Sequence, residues 1–98
     1  MFVKIIRTYR DVVAVCDSEL LGKKFEDAKF QIDVKESFYK GEEMDESKTE
    51  EIMINMSAED ATFNIVGKKA VALALKARII SKDAVKTIQG IPFVLVLV

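Results

Sequence analysis

The chain has 98 residues, of which half are hydrophobic and 32% are charged, with 15 basic and 16 acidic residues and a net charge of −1. This length and composition predict one globular domain over residues 1–98 and exclude a disordered chain. There is no histidine, and Cys16 is the one cysteine. Their scarcity excludes an intramolecular disulfide, the Ser-His-Asp and Cys-His catalytic arrangements and nearly all zinc sites.

The sequence indicates a cytoplasmic protein. Its first residues form a strand-like segment with Lys4 and Arg7 instead of a signal peptide, and no apolar stretch reaches the roughly 18 residues of a membrane-spanning helix. Lysine and glutamate dominate the charged residues, while glutamine occurs only at Gln31 and Gln89. This bias resembles that of proteins from heat-adapted organisms.

Two strands are predicted near the N-terminus, residues 2–9 and Val12–Cys16, because both segments are rich in β-branched and aromatic side chains. The short connection between them indicates a hairpin. Asp17 or Ser18 is expected to cap a short helix, which Gly22 would end.

The next segment contains a third strand, a loop and the start of a helix. Residues 30–34 alternate apolar and polar side chains, as a half-buried strand does. Residues 36–46 contain a glycine and a group of acids and are expected to form a loop. Ser47 and Glu50 have the spacing of a capping box, which predicts a helix that begins there.

Two further helical segments are expected in the second half. Ser57 followed by Glu59 and Asp60 is typical of a helix start, and this pattern predicts a helix over residues 57–66 that ends at Gly67. Residues 68–77 are rich in alanine and leucine and predict another helix.

The chain ends with a hydrophobic strand. Residues 85–88 predict a short strand, Gly90 and Pro92 a turn, and residues 91–98 a last strand with six consecutive apolar residues. An exposed edge of this composition favours aggregation, so we expect this strand inside the sheet or at a subunit interface. The predicted class is α+β, a small mixed or antiparallel sheet with two to three helices packed on it.

Charge is distributed unevenly along the chain. Residues 42–60 hold eight acids and one lysine, a net charge of −7, whereas residues 61–98 hold six bases and one acid, a net charge of +5. One interpretation is two opposed patches, of which the basic one is available to the phosphates of RNA. The other interpretation is two solvated helix faces that partly neutralise each other.

One short motif occurs twice: two apolar residues, a glycine and a lysine pair. Backbone amides at a helix start after such a glycine can hold an anion, but a helix C-terminus followed by lysines is the simpler explanation of the pattern. The motif lacks the upstream glycine and the Ser/Thr of a P-loop. The two copies end in Gly22-Lys23-Lys24 and Gly67-Lys68-Lys69, and their four lysines are the candidate contacts for an anion or RNA.

Other chemically interesting residues have simpler structural explanations beside the functional ones. Cys16 is either a small core residue or a thiol activated by a nearby lysine, and Asp17 is either a helix cap or an acid–base group. Tyr39, next to Phe38, either closes a loop onto the core or stacks on a nucleobase. The acids of residues 42–60 follow no metal-ligand spacing, so no metal site and no cofactor are predicted.

Four short motifs follow one another in this sequence, and together they span nearly the whole chain. They are Cys16-Asp17-x-x-Leu20-Leu21-Gly22-Lys23-Lys24-Phe25, Phe38-Tyr39-Lys40-Gly41, Asn64-Ile65-Val66-Gly67 and Gly90-Ile91-Pro92. In this order they resemble a small archaeal family, the domain-of-unknown-function family number 424. The resemblance implies an archaeal protein with no established activity and a link to translation. It also implies a histidine just after the Gly-x-Pro turn, where this chain has Phe93.

The leading hypothesis is a non-enzymatic module that binds protein or RNA, with Lys23, Lys24, Lys68 and Lys69 as contacts. A second hypothesis is a small enzyme or ligand-binding protein. It would use Cys16 and Asp17 near the Gly22 turn, and it predicts a pocket at the end of the second strand. The other motif residues of such a site are Phe38, Tyr39, Gly41, Asn64 and Gly67. A third hypothesis is a homo-oligomer in which the acidic segment of one copy meets the basic segment of another.

Overall fold

A computed structural model describes residues 1–97 and shows an α+β fold built on a mixed sheet of six strands. The strands of this sheet are β1 (Phe2–Ile6), β2 (Val12–Cys16), β5 (Glu42–Glu43), β6 (Thr62–Val66), β7 (Lys86–Ile88) and β8 (Ile91–Val96), in the order β5-β1-β2-β6-β8-β7. A separate two-stranded sheet consists of β3 (Lys24–Glu26) and β4 (Gln31–Asp33). The helices are α1 (Glu36–Tyr39), α2 (Glu46–Ala58) and α3 (Lys68–Lys76).

The centre of the sheet combines an antiparallel hairpin with a parallel pair. β1 and β2 form the predicted N-terminal hairpin, and β2 also pairs in parallel with β6. β8 lies between β6 and β7 and is antiparallel to both. The apolar C-terminal strand is therefore not the last strand of the sheet, as expected, although β7 flanks only its first half and Val98 lies outside the described residues.

The prediction of a helix over residues 57–66 is wrong, because this segment contains the end of α2 and the strand β6. α2 ends at Ala58, and Asp60 then adopts a positive φ of 60° that turns the chain into β6. In β6 the side chains of Phe63 and Ile65 point to the helix-side core, and this period of two is that of a strand. The acids at positions 59 and 60 thus follow a helix and do not start one.

The other helix and loop predictions differ from the structure in smaller ways. α2 begins one residue before the predicted Ser47, and Asp45 caps it by accepting a 2.9 Å hydrogen bond from the Lys48 amide. The segment predicted as a loop contains the short helix α1 and the two-residue strand β5. A 3₁₀-helix over Ser18–Leu20 takes the place of the short helix expected before Gly22.

Both faces of the sheet are covered by buried apolar side chains. On one face, α2 and α3 cover Val13, Val15, Phe63 and Ile65, and Met53 of α2 is fully buried among them. On the opposite face, Ala14, Cys16, Val66 and Phe93 pack against residues from the segment between β2 and α2, including Leu20, Val34 and Tyr39. Phe30, in the turn between β3 and β4, makes an edge-to-face contact with Phe93, with ring centroids 5.6 Å apart.

Candidate functional site

The loops that follow β2 and β6 lie side by side, because these parallel strands end at the same edge of the sheet. Cys16 is aligned with Val66 in the parallel register. The Asp17 amide extends the pairing by donating a 3.1 Å hydrogen bond to the carbonyl of Val66. Both copies of the glycine-lysine-lysine motif come after these strand ends. In open α/β sheets ligands bind beyond the carboxyl ends of parallel strands, and the β2–β6 pair forms an edge of the same type within a mixed sheet.

Asp17 connects the two loops. Its carboxylate is 3% exposed and accepts two hydrogen bonds from the first turn of α3: one from the Lys69 amide at 3.0 Å and one from the Ala70 amide at 2.8 Å. This carboxylate lies at the positive end of the helix dipole and satisfies two amides that would otherwise lack partners. An anion bound here would therefore depend on lysine side chains, because these two amides are already occupied.

Gly67 makes this contact sterically feasible. It has φ 118° and ψ 155°, a conformation that residues with a side chain rarely adopt. A Cβ atom at this position would lie 2.3 Å from Cγ of Asp17. The interpretation of Gly67 as a helix C-terminus is wrong, because this residue precedes α3.

Two clefts open around the start of α3, and Lys68 and Lys69 line both. The first has a volume of about 330 Å³, and its remaining lining residues are Asp17, Glu19, Leu20 and Ile91. The second has a volume of about 280 Å³ and lies between α2 and α3, where its lining residues include Glu46, Leu73 and Lys76.

The lysines of the first motif copy are close in sequence to the wall of the first cleft but do not line it. Gly22 has a positive φ of 84°, and the Lys23 amide donates a 3.0 Å hydrogen bond to the carbonyl of Leu20, which is a lining residue. Lys24 begins β3 opposite Asp33. Within residues 1–97, none of the four motif lysines takes part in a salt bridge, and all four are exposed. Their contact with an anion stays a prediction.

Cys16 lies in the core and does not line either cleft. Its side chain is fully buried among the residues of the face opposite α3. Burial, and secondarily the negative charge of Asp17, raises the pKa of the Cys16 thiol from 9.0 to about 11. The thiol is therefore protonated near neutral pH, where a nucleophile would need to be a thiolate.

The remaining motif residues have identifiable packing roles. Tyr39 is 6% exposed, contacts Phe38 edge-to-face at 5.1 Å, and its pKa is raised to about 12, chiefly by burial. Gly41 lies directly against β1, because a Cβ atom there would be 2.1 Å from the carbonyl oxygen of Val3. Asn64 is half-buried on β6, between Ala14 and Leu95 of the neighbouring strands.

One residue of this site, Lys76, was not singled out in the sequence. It follows Lys69 by seven residues, so the two lie on the same side of α3 and line the same cleft. The Nζ atom of Lys76 is 4.0 Å from Oε1 of Glu50 on α2. The seven-residue spacing of Lys69 and Lys76 is a signal in the sequence that they share one face of a helix. That this face borders a cleft follows only from the packing of α2 beside α3.

Residues 1–97 contain neither a metal-binding cluster of side chains nor a helix that could span a membrane. No group of three or more cysteine, aspartate or glutamate side chains is arranged to hold a metal ion in this part of the chain. None of its helices combines the length and hydrophobicity that crossing a bilayer requires.

Comparison with known proteins identifies the family of the chain. No curated protein matches it. A crystal structure of an uncharacterized conserved protein from Methanopyrus kandleri has the same fold, with a TM-score of 0.84 and 23% sequence identity over 96% of this chain and 87% of that one. The sequence profile of a family described as "Protein of unknown function (DUF424)" matches residues 6–98. The chain therefore belongs to the DUF424 family.

Proposed function

We propose that this protein is a non-enzymatic module that binds RNA through the lysines beside the ends of β2 and β6. We call these residues, Lys23, Lys24, Lys68 and Lys69, the lysine surface. The observation that carries the proposal is the position of the two glycine-lysine-lysine copies at the carboxyl ends of two neighbouring parallel strands. Exposed lysines grouped in this way attract phosphates even when the net charge of the protein is −1.

The position of Lys68 and Lys69 supports a binding role over a stabilising one. Both residues lie in the first turn of α3, where the helix dipole favours acids and disfavours cations. Asp17, and not a residue of the helix itself, supplies the favourable negative charge. Two adjacent exposed lysines at this position do not help the helix to form, so we ascribe them to ligand binding.

The surroundings of Cys16 and Asp17 support binding over catalysis. The thiol is buried and protonated near neutral pH, and both carboxylate oxygens of Asp17 accept hydrogen bonds from main-chain amides. An enzyme that used these residues would have to break the cap of α3 and expose the core. We therefore favour the binding module over the enzyme that uses Cys16 and Asp17.

We further propose an archaeal, cytoplasmic and translation-related setting for this module. The Lys/Glu-rich composition and the archaeal source of the similar structure support the archaeal origin, whereas the link to translation rests on the family resemblance alone. Structured RNAs of the translation apparatus, such as transfer RNA and ribosomal RNA fragments, are accordingly the first probes to use.

The proposal is tested by fluorescence anisotropy with labelled archaeal transfer RNA over a series of salt concentrations. We expect the logarithm of the affinity to fall linearly with the logarithm of the salt concentration, because each neutralised phosphate releases counterions. The double variant Lys68→Ala/Lys69→Ala should bind more weakly. Its slope should be shallower by about 1.4–1.8, which corresponds to two lost phosphate contacts.

The matched control is Lys82→Ala/Lys86→Ala, which removes the same charge at two exposed positions outside both clefts. We expect this variant to keep nearly the affinity and slope of the wild type. If both double variants lost RNA affinity equally, the RNA would be attracted by the overall positive charge of the protein, and this result would contradict the assigned site. If the protein showed no salt-sensitive RNA binding but bound an acidic peptide through Lys68 and Lys69, its partner would be a protein and not RNA.

A further inference from the structure

The outer edge of β8 is open over its second half. β7 pairs with Ile91, Pro92 and Phe93 and then ends, whereas on its other side β8 stays paired with β6 as far as Val96. Leu95 is 51% exposed, and Leu97, which directly follows the strand, is 78% exposed. The last part of this strand therefore has a partner on one side within residues 1–97.

The direction of the main chain shows which groups face this open edge. Ile88 and Ile91 flank the two-residue turn of the β7–β8 hairpin, so the amide and carbonyl of Ile91 point toward β7. The Pro92 carbonyl points the other way, because it accepts a hydrogen bond from the Gly67 amide. Main-chain groups alternate in direction along a strand, so the amide and carbonyl of Leu95 point toward the open edge. An extended main chain beyond Val96 orients those of Leu97 in the same way. Within the described residues, no hydrogen bond to the Leu95 main chain occurs on that side.

The two edges of the sheet differ in protection. At the far edge, β5 has two residues, both exposed glutamates, and short charged strands discourage pairing with other chains. At the β8 edge, residues 94–97 are Val-Leu-Val-Leu, without a charge or a proline. An edge of this kind is a template for a further strand, and a folded protein normally covers it.

We propose that a second copy of this chain covers the edge, with the two β8 strands antiparallel about a twofold axis beside Val96. In this register Leu95 of one copy lies opposite Leu97 of the other, and Val96 lies opposite its counterpart. The outward amide and carbonyl groups belong to Leu95 and Leu97, which are two residues apart. A twofold axis beside Val96 therefore places the groups of Leu95 in one copy opposite those of Leu97 in the other. The two Leu95–Leu97 pairs form four hydrogen bonds in this way. An axis at Leu95 would give only the two of the Leu95–Leu95 pair, because Leu97 would then face Phe93, whose outward groups already pair with β7.

A second copy fits this edge better than an unrelated strand for two reasons. The segment is self-complementary, because leucine meets leucine and valine meets valine, and no like charges are brought together. The pairing also brings Leu95 of one copy beside Leu97 of the other and so lowers the exposure of two of the most exposed apolar side chains. The lysine surface lies at the opposite end of β6, so this inference does not depend on the proposed function.

Analytical ultracentrifugation over a concentration series tests the dimer. The interface is small in comparison with the roughly 1,200–2,000 Å² of stable complexes, so we expect a dimer that dissociates on dilution. Leu95→Lys should shift the dissociation constant by tenfold or more, because it places like charges at the edge. The control Ile54→Lys changes an apolar residue of similar exposure, 48%, on α2 and should leave the equilibrium unchanged.

Disulfide trapping tests the register. In the proposed register Val96 and its counterpart form a non-hydrogen-bonded pair, because their main-chain groups point toward β6. The Cα atoms of such a pair are about 4.5 Å apart, a separation that suits a disulfide. Under mild oxidation Val96→Cys should give a covalent dimer, whereas the control Ile54→Cys should not, and the native Cys16 is buried. A wild type that stays monomeric to near-millimolar concentration, or a dimer indifferent to Leu95→Lys, would overturn the proposal. If Leu95→Lys weakened the dimer but Val96→Cys formed no crosslink, the dimer would stand and the proposed register would be wrong.

Discussion

The carboxylate of Asp17 occupies the space in which Gly67 would carry a side chain, since a Cβ atom there would lie 2.3 Å from the Asp17 Cγ atom. This contact joins the end of β2 to the start of α3, where the Asp17 carboxylate also accepts a hydrogen bond from the Lys69 amide, 52 residues further along the chain. It explains both the absence of a side chain at position 67 and the burial of an acid at position 17. The same contact fixes the start of α3, where Lys68 and Lys69 project.

We expect Gly67→Ala to lower the free energy of unfolding by about 2–4 kcal/mol, because it combines a strained main chain with a clash against Asp17. Gly22→Ala is the matched control. Gly22 also has a positive φ, of 84°, but a Cβ atom there would meet nothing within 4 Å. Its loss should be about 1 kcal/mol, the cost of the left-handed conformation alone. Urea unfolding of both variants measures the difference, and equal losses would contradict the close packing at Gly67.

Asp17→Ala should cost about 2–3 kcal/mol, because it removes the cap of α3 and leaves the Lys69 and Ala70 amides without their partner. Asp17→Asn keeps one acceptor oxygen and should lose about half as much. Urea unfolding monitored by circular dichroism gives both values. If Asp17→Ala were as stable as the wild type, the carboxylate would have no capping role.

The N-terminal hairpin, the third strand and the C-terminal strand were predictable because their side chains alternate or are uniformly apolar. The segment over residues 57–66 was not, because Ser57, Glu59 and Asp60 satisfy the local pattern of a helix start while they end α2. Residues 62–65 do alternate polar and apolar side chains, but the helix-start pattern before them is the stronger local signal, and the pairing of β6 with β2 and β8 decides in favour of the strand.

The candidate site was predictable in its residue types but not in its geometry. The repeated motif drew attention to its four lysines, and the structure places both copies after neighbouring parallel strands. The hydrogen bonds of Asp17 to α3 were not foreseeable, since a capping acid normally precedes its own helix in sequence. Asp17 instead caps a helix that begins after four further strands and two helices.

The Cys16 thiol should react slowly with iodoacetamide in the native protein near neutral pH and rapidly after unfolding in urea. Burial hides the sulfur atom and raises its pKa to about 11, so the thiolate is scarce. Mass spectrometry of the alkylated protein over time measures both rates. Fast native alkylation would revive the interpretation of Cys16 as an activated nucleophile.

The same pKa shift predicts that stability falls as the solution becomes alkaline. Well below pH 9.0 the thiol is protonated in both the folded and the unfolded chain, so Cys16 contributes no pH dependence there. Between pH 9.0 and about 11 the unfolded chain loses the proton while the folded chain keeps it, which favours unfolding. Cys16→Ala should therefore show a shallower decline in the free energy of unfolding over this range. Parallel declines would contradict the raised pKa.

The most direct test of the proposed function maps the RNA contact by nuclear magnetic resonance of the labelled protein during addition of transfer RNA. We expect the amide shifts of residues 22–24 and 67–70 to change most and these changes to reverse at high salt. Changes confined to the opposite end of the sheet, around the β1–β2 hairpin loop or residues 94–97, would contradict the assignment of the lysine surface as the RNA-binding site.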